Sequence, residues 1–145
     1  MQAVEILKNE HRMIDDLLVA VQKTPDHNVR RELMVQVGIV VSRHFDLEEN
    51  VLYPVCARYM SLRGLIERSL DTHQLISDLI VQMSEERSMS ELDGLYDQLV
   101  ETVARHIDEE ETELFSRLAE TFDDTATAEL SWRFDQAVAS SKQAA

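Results

Sequence analysis

The chain has 145 residues and a formal charge of −14, from 14 Lys and Arg against 28 Asp and Glu. That length suits one domain, and the acidic balance argues against nucleic acid or an anionic membrane surface as a partner, since both select basic patches. A single cysteine, Cys56, excludes an intrachain disulfide and any all-thiolate zinc or iron-sulfur site, while three Gly and two Pro favour long helices over a many-stranded sheet.

The opening stretch MQAVEILKNEHR is polar, and no segment approaches the ~18 apolar residues of a membrane span, so a cytoplasmic protein is expected. Val4, Leu7, His11, Ile14, Leu18 and Val21 then follow three- and four-residue steps, which places them on one face of a first helix with His11 inward. KTPDHN supplies a turn, and Asp26 or Asn28 is suited to cap a second helix. Its inward line is Leu33, Val37, Val40, His44, Glu48 or Leu47, Val51 and Val55. Pro54 should kink or end this helix, with the pattern resuming through Cys56 to Met60.

A third helix is expected over residues 62–86, with Ile66, Leu70, His73, Ile76, Ile80 and Met83 on one face. A fourth, over residues 90–121, carries Leu95, Leu99, Val103, His106, Glu110 and Leu114. After FDDTATAE a last amphipathic segment, residues 128–139, sets Leu130, Phe134 and Val138 on one side, and the closing SSKQAA is expected to fray. The economical architecture is all-α: an up-down-up-down four-helix bundle over residues 1–122, with a short additional C-terminal helix and tail over residues 123–145 packed on it.

Within that frame the chain repeats itself at an offset of 62 residues, so that His11, His44, Glu48 and Glu49 recur as His73, His106, Glu110 and Glu111. RHFDLEENVLY from Arg43 matches RHIDEEETELF from Arg105 at six of eleven positions, and HRMIDDLLV shares His, Ile, Asp, Leu and Val with HQLISDLIV. Two similar hairpins related by an approximate two-fold axis follow from this duplication.

On a helix, positions i and i+4 stack on one face, so His44 with Glu48, and His106 with Glu110, can each aim an imidazole and a carboxylate at one point. Burying such carboxylates without compensation costs several kcal/mol per ion, an objection that a cation removes. A core network of histidines hydrogen-bonded to glutamates is the bland alternative, but it gives no reason for the duplication. Nitrogen and oxygen donors without sulfur suit iron or manganese better than calcium and leave zinc open. Two carboxylates able to bridge favour two ions over one, and six donors shared between two ions leave positions free for a small ligand.

His11, HFDLEENVLYP from His44, His73 and HIDEEETELF from His106 together resemble the hemerythrin-like, HHE cation-binding family over most of the chain. The resemblance implies a four-helix bundle around two non-haem iron ions, carboxylate- and oxo- or hydroxo-bridged, with His11 and His44 on one ion, His73 and His106 on the other, and Glu48 and Glu110 bridging. It also implies a small-molecule partner: oxygen, nitric oxide or peroxide, bound, sensed or detoxified, with enzymatic consumption of peroxide or nitric oxide left open. The alternative is an iron-responsive regulatory or interaction module without turnover.

Two departures from the oxygen carriers of that family bear on the chemistry. Their extra histidine, one turn after the third-helix histidine, is Ser77 here, and their fourth-helix carboxylate matches Glu111 rather than Glu110 by count. A more symmetric, more open centre is therefore expected. Asp15, at the first-half position equivalent to Ser77, is read as solvated or in a supporting role, and Glu49 and Glu111 as supporting or exposed, with ligation the alternative for each. Tyr53 and the equivalent Phe115 are read as core, with Tyr53 able to donate a hydrogen bond near the metal or to ligate it; Cys56 is read as a small core residue, and His27 as a surface histidine dispensable for metal.

Overall fold

The inner helices and the π turns that follow them begin and end at the same 62-residue offset as the histidines. In the computed structural model, which describes residues 1–144 and the side chains of residues 1–141, the chain forms α1 (Gln2–Lys23), α2 (His27–Leu47), a π-helical turn π1 (Glu48–Leu52) and α3 (Tyr53–Cys56). The second half follows as α4 (Met60–Glu85), α5 (Met89–Glu109), π2 (Glu110–Leu114) and α6 (Phe115–Thr121), and α7 (Asp124–Ala144) closes the described residues. Since α2, π1 and α3 are one continuous rod, as are α5, π2 and α6, the core architecture is a four-helix bundle with a fifth helix against it.

Local chemistry explains where the inner helices start. Asp26 caps α2, its carboxylate accepting the Val29 N–H at 3.0 Å, and Ser88, 62 residues on, caps α5 by accepting the Glu91 N–H at 3.4 Å. Thr24, just before Pro25, leaves the helix for extended backbone, as residues preceding proline favour. Gly38 lets α2 approach α4, because a Cβ there would stand 3.2 Å from Ile80 Cγ2.

Pro54 does not stop the second helix where it falls. In π1 the Tyr53 N–H bonds Glu48 O, five residues back, and Pro54 occupies the first turn of α3, where no N–H is needed. The helix ends at Cys56, and Met60 already belongs to α4, so the expected resumption through Cys56 to Met60 does not occur. The equivalent π2 forms with Ser116 in place of the proline, its Phe115 N–H bonding Glu110 O. Proline is thus compatible with the π turn rather than its cause.

The core divides into two apolar layers with a polar layer between them. One layer, at the end where α3, α6 and α7 meet, is built around Leu7, Leu52, Leu62, Leu118, Leu130 and Phe134. The other, toward the α1–α2 and α4–α5 connections, is built around Leu18, Val21, Val37, Ile76, Leu92 and Leu99. His11, His44, Glu48, His73, His106 and Glu110 lie in between and are all buried. Rigid packing on both sides fixes the helices that carry them.

Some faces differ from the periodic expectation. Leu70 and Val138 are exposed, at 39% and 36%, while Ala126, Leu130 and Phe134 anchor α7 to the bundle. Helix α7 runs to Ala144, past the apolar pattern that ends at residue 139, with no Gly or Pro between Ser140 and Ala144 to stop it; Ala145 lies outside the described residues. No helix among the described residues is long and apolar enough to cross a membrane.

Candidate metal centre

Each bundle helix projects one imidazole into the polar layer with Nε2 pointing toward the axis. His11 Nε2 and His44 Nε2 are 3.1 Å apart, and His73 Nε2 and His106 Nε2 are 3.2 Å apart. Two imidazole nitrogens each about 2.0–2.1 Å from one ion, at close to a right angle, stand about 3 Å from each other, so both pairs have the separation of ligands to a common ion.

The carboxylates join the pairs. Glu48 Oε1 lies 3.3 Å from His44 Nε2, 3.2 Å from His73 Nε2 and 3.7 Å from His106 Nε2, and so reaches across both pairs. Glu110 Oε1 lies 3.1 Å from His11 Nε2, and its Oε2 lies 3.7 Å from His106 Nε2. His11, His44, Glu48 and Glu110 form one group able to hold an ion, and Glu48, His73 and His106 form a second.

The electrostatics call for a cation. Both oxygens of Glu48 and Oε1 of Glu110 are buried without a hydrogen-bond partner, a costly state for acceptor atoms. Burial, then the neighbouring Glu48 charge, drives the Glu110 carboxyl well above its ordinary range. Burial also acts upward on Glu48, but the charge of His44 and the close approach of Glu110 and His106 outweigh it and hold Glu48 well below that range. Two acids are thus packed where one charge is tolerated, the condition that a metal ion relieves. Burial acts downward on His44, yet Glu48 and Glu10 outweigh it and hold the imidazole at about 9, whereas burial followed by His44 lowers His11 against the opposing pull of Glu111.

The outward nitrogens are held as well. Glu111 Oε2 meets His11 Nδ1 at 2.9 Å and Glu49 Oε2 meets His73 Nδ1 at 3.1 Å, an exchange between the hairpins in which each glutamate orients the other half's first histidine. Glu10 Oε1 meets His44 Nδ1 at 2.7 Å. Carboxylates so placed fix the tautomer that leaves Nε2 free to ligate and strengthen it as a donor. This is the supporting position expected of Glu49 and Glu111, while Asp15 is exposed, its carboxyl raised by partial burial and by Glu111 and Asp16.

Tyr53 enters the centre because of the π turn. Nine residues of regular α-helix would carry it about half a turn away from His44; π1 absorbs one residue and brings it back to the ligand side. Its hydroxyl donates to Glu110 Oε2 at 2.7 Å and lies 3.3 Å from His73 Nε2. Burial first, then Glu48 and Glu110, hold the phenol far above its usual range. The equivalent Phe115 instead stacks on His11, with ring centroids 6.0 Å apart, and Phe45 stacks on His73 at 3.7 Å.

The π turns and Glu10 were not legible in the periodic pattern, although the unequal pairs Tyr53/Phe115 and Glu10/Thr72 inside an otherwise matching repeat mark where the halves diverge. Cys56 is buried and free, its thiol pushed up to about 12 by burial and Glu110, and His27 is exposed at the start of α2. A cleft of about 620 Å³ between α1, α2 and α7 reaches His44 and Glu10 from the surface, past Met13, Leu47 and Ala137.

A sequence model described as the hemerythrin HHE cation-binding domain matches residues 2–118. The chain is also 27% identical over 105 residues to an uncharacterized hemerythrin-like protein of Schizosaccharomyces pombe, an alignment covering 70% of this chain and 52% of that protein. The chain thus spans about half the length of the curated relative it matches. No solved structure matches it.

Proposed function

The chain belongs to the hemerythrin HHE cation-binding family, and on that footing we propose that it is a non-haem di-iron protein that binds or reacts with oxygen, nitric oxide or peroxide. One observation carries the reading: four imidazole nitrogens and three unpartnered buried carboxylate oxygens converge on a single layer of the bundle. The donors are nitrogen and oxygen only, the set suited to iron or manganese, and Glu48 reaches both histidine pairs as a bridging carboxylate must.

His11, His44, Glu48 and Glu110 would hold one iron, and His73, His106 and Glu48 the other, while Glu110 Oε2, hydrogen-bonded to Tyr53, faces the second group. Two irons so held would supply reversible electron exchange with a small ligand. The protein's own groups orient and shield. Glu10, Glu49 and Glu111 keep the imidazoles in the ligating tautomer, Phe45 and Phe115 exclude water along two ring faces, and the Tyr53 hydroxyl offers a hydrogen bond beside His73 Nε2.

The test is to load the full chain with ferrous iron without oxygen and then add oxygen, hydrogen peroxide or nitric oxide while following the absorption spectrum. Repeated consumption of one of them identifies an enzyme, and a stoichiometric adduct identifies a binder or sensor. An iron-loaded protein whose spectrum ignores all three would overturn the proposal.

A further inference from the structure

The two histidine pairs match in ligand type but differ in what holds them. His44 Nδ1 is gripped by Glu10, the residue before His11, at 2.7 Å. The residue 62 further on, before His73, is Thr72, whose hydroxyl is spent on Arg68 O at 3.0 Å. Among the described residues, His106 Nδ1 has no carboxylate partner, so three of the four imidazoles are oriented by an acid and the fourth is not.

The carboxylates lean the same way. Glu110 presents its unpartnered Oε1 to His11 at 3.1 Å, while its Oε2, the oxygen facing the other pair, accepts the Tyr53 hydroxyl. The His11/His44 half therefore has two imidazoles held by acids and a free oxygen from each of two glutamates. The His73/His106 half has one held imidazole and Glu48, and reaching Glu110 requires breaking a hydrogen bond.

From this, and resting on the metal-centre reading above, we propose that the two halves load in order. The His11/His44 half takes a divalent ion first and more tightly, and the Glu10/Thr72 difference is a principal cause. Removing one outer carboxylate from a ligating histidine weakens metal binding by about 10–100-fold, and a gap of that size is expected between the two affinities. Glu10 is a positioning residue here, acting through His44, and it lines the cleft that connects this half to the surface.

Titration of the metal-free full chain with manganese(II), by equilibrium dialysis and electron paramagnetic resonance, tests the order. The expected result is two dissociation constants separated by about 10–100-fold, an isolated-ion signal dominating at one equivalent and a coupled pair growing toward the second. His106→Ala should retain the tight constant and His44→Ala should lose it. Both Glu10→Thr, by weakening the tight half, and Thr72→Glu, by supporting His106, should narrow the gap. These two positions lie at the half-buried rim, so a helical circular-dichroism spectrum equal to that of the wild type confirms that each variant folds.

Equal or pairwise-cooperative binding in the wild type would overturn the ordered loading while leaving the centre itself intact. A gap unchanged in Glu10→Thr would remove its proposed cause. Failure of the wild type to bind any manganese or iron would instead sink the centre, and the order with it.

Discussion

The α1–α2 hairpin and the α4–α5 hairpin carry the same buried histidines and glutamates at the same spacing, start their inner helices with a cap at the same register, and pass through a π turn at the same residue of the repeat. Around those residues they diverge, with Glu10 equivalent to Thr72, Phe45 to Ile107 and Tyr53 to Phe115 in the repeat. The inner layer places the same donor types at the same register on both sides. The outer residues are free to differ, and they decide how strongly each imidazole is held and which face of the site is polar. Duplication thus explains the fold, and its lapses point to function.

The comparison breaks most sharply at the shared ligand. Glu48 belongs to both groups, whereas Glu110 belongs to the His11/His44 group and reaches the other only by giving up its hydrogen bond from Tyr53, so Glu48→Ala should strip more metal than Glu110→Ala, and by more than the roughly 10–100-fold that an outer partner is worth. Metal content after gel filtration checks this, and equal retention in the two variants would contradict it. Next in size is packing, where the halves are expected to behave alike. Leu52 and Leu114 are equivalent, at 0% and 1% exposure in the same apolar layer, and either substitution to Ala should cost about 2–5 kcal/mol by chemical denaturation.

A smaller effect separates the halves again. Tyr53→Phe leaves Glu110 Oε2 buried without its donor, which should destabilise the metal-free protein by about 1–3 kcal/mol in the same assay. The smallest effect is at the caps, where Asp26→Ala and Ser88→Ala should each cost about 1 kcal/mol. Asp26 should cost the more of the two, because its bond to Val29 N–H is 3.0 Å against 3.4 Å for Ser88 to Glu91 N–H. The reverse order would show that cap geometry does not set these helix starts.

The inward histidines could be read from sequence because three- and four-residue apolar steps define a helical face and the 62-residue echo repeats it. Asp26 was readable as a cap for the same reason of local chemistry, a short acceptor side chain placed just before a helical run. What escaped depends on small backbone departures and on partners distant in sequence. Periodicity assumes a uniform helix, so it could not foresee a π turn that accommodates Pro54 and swings Tyr53 back toward Glu110. Glu10 sits beside His11 in sequence yet serves His44, and Glu111 serves His11 from 100 residues away, contacts that no helical wheel contains.

The central claim is that this buried layer of four histidines and two glutamates holds two ions. Counting iron per folded chain after anaerobic loading and desalting tests it most directly, with His27→Ala and His73→Ala alongside the wild type. The account predicts two irons per chain in the wild type and in His27→Ala, and a clear loss in His73→Ala. Full loading of His73→Ala, or no retained iron in the wild type, would contradict it.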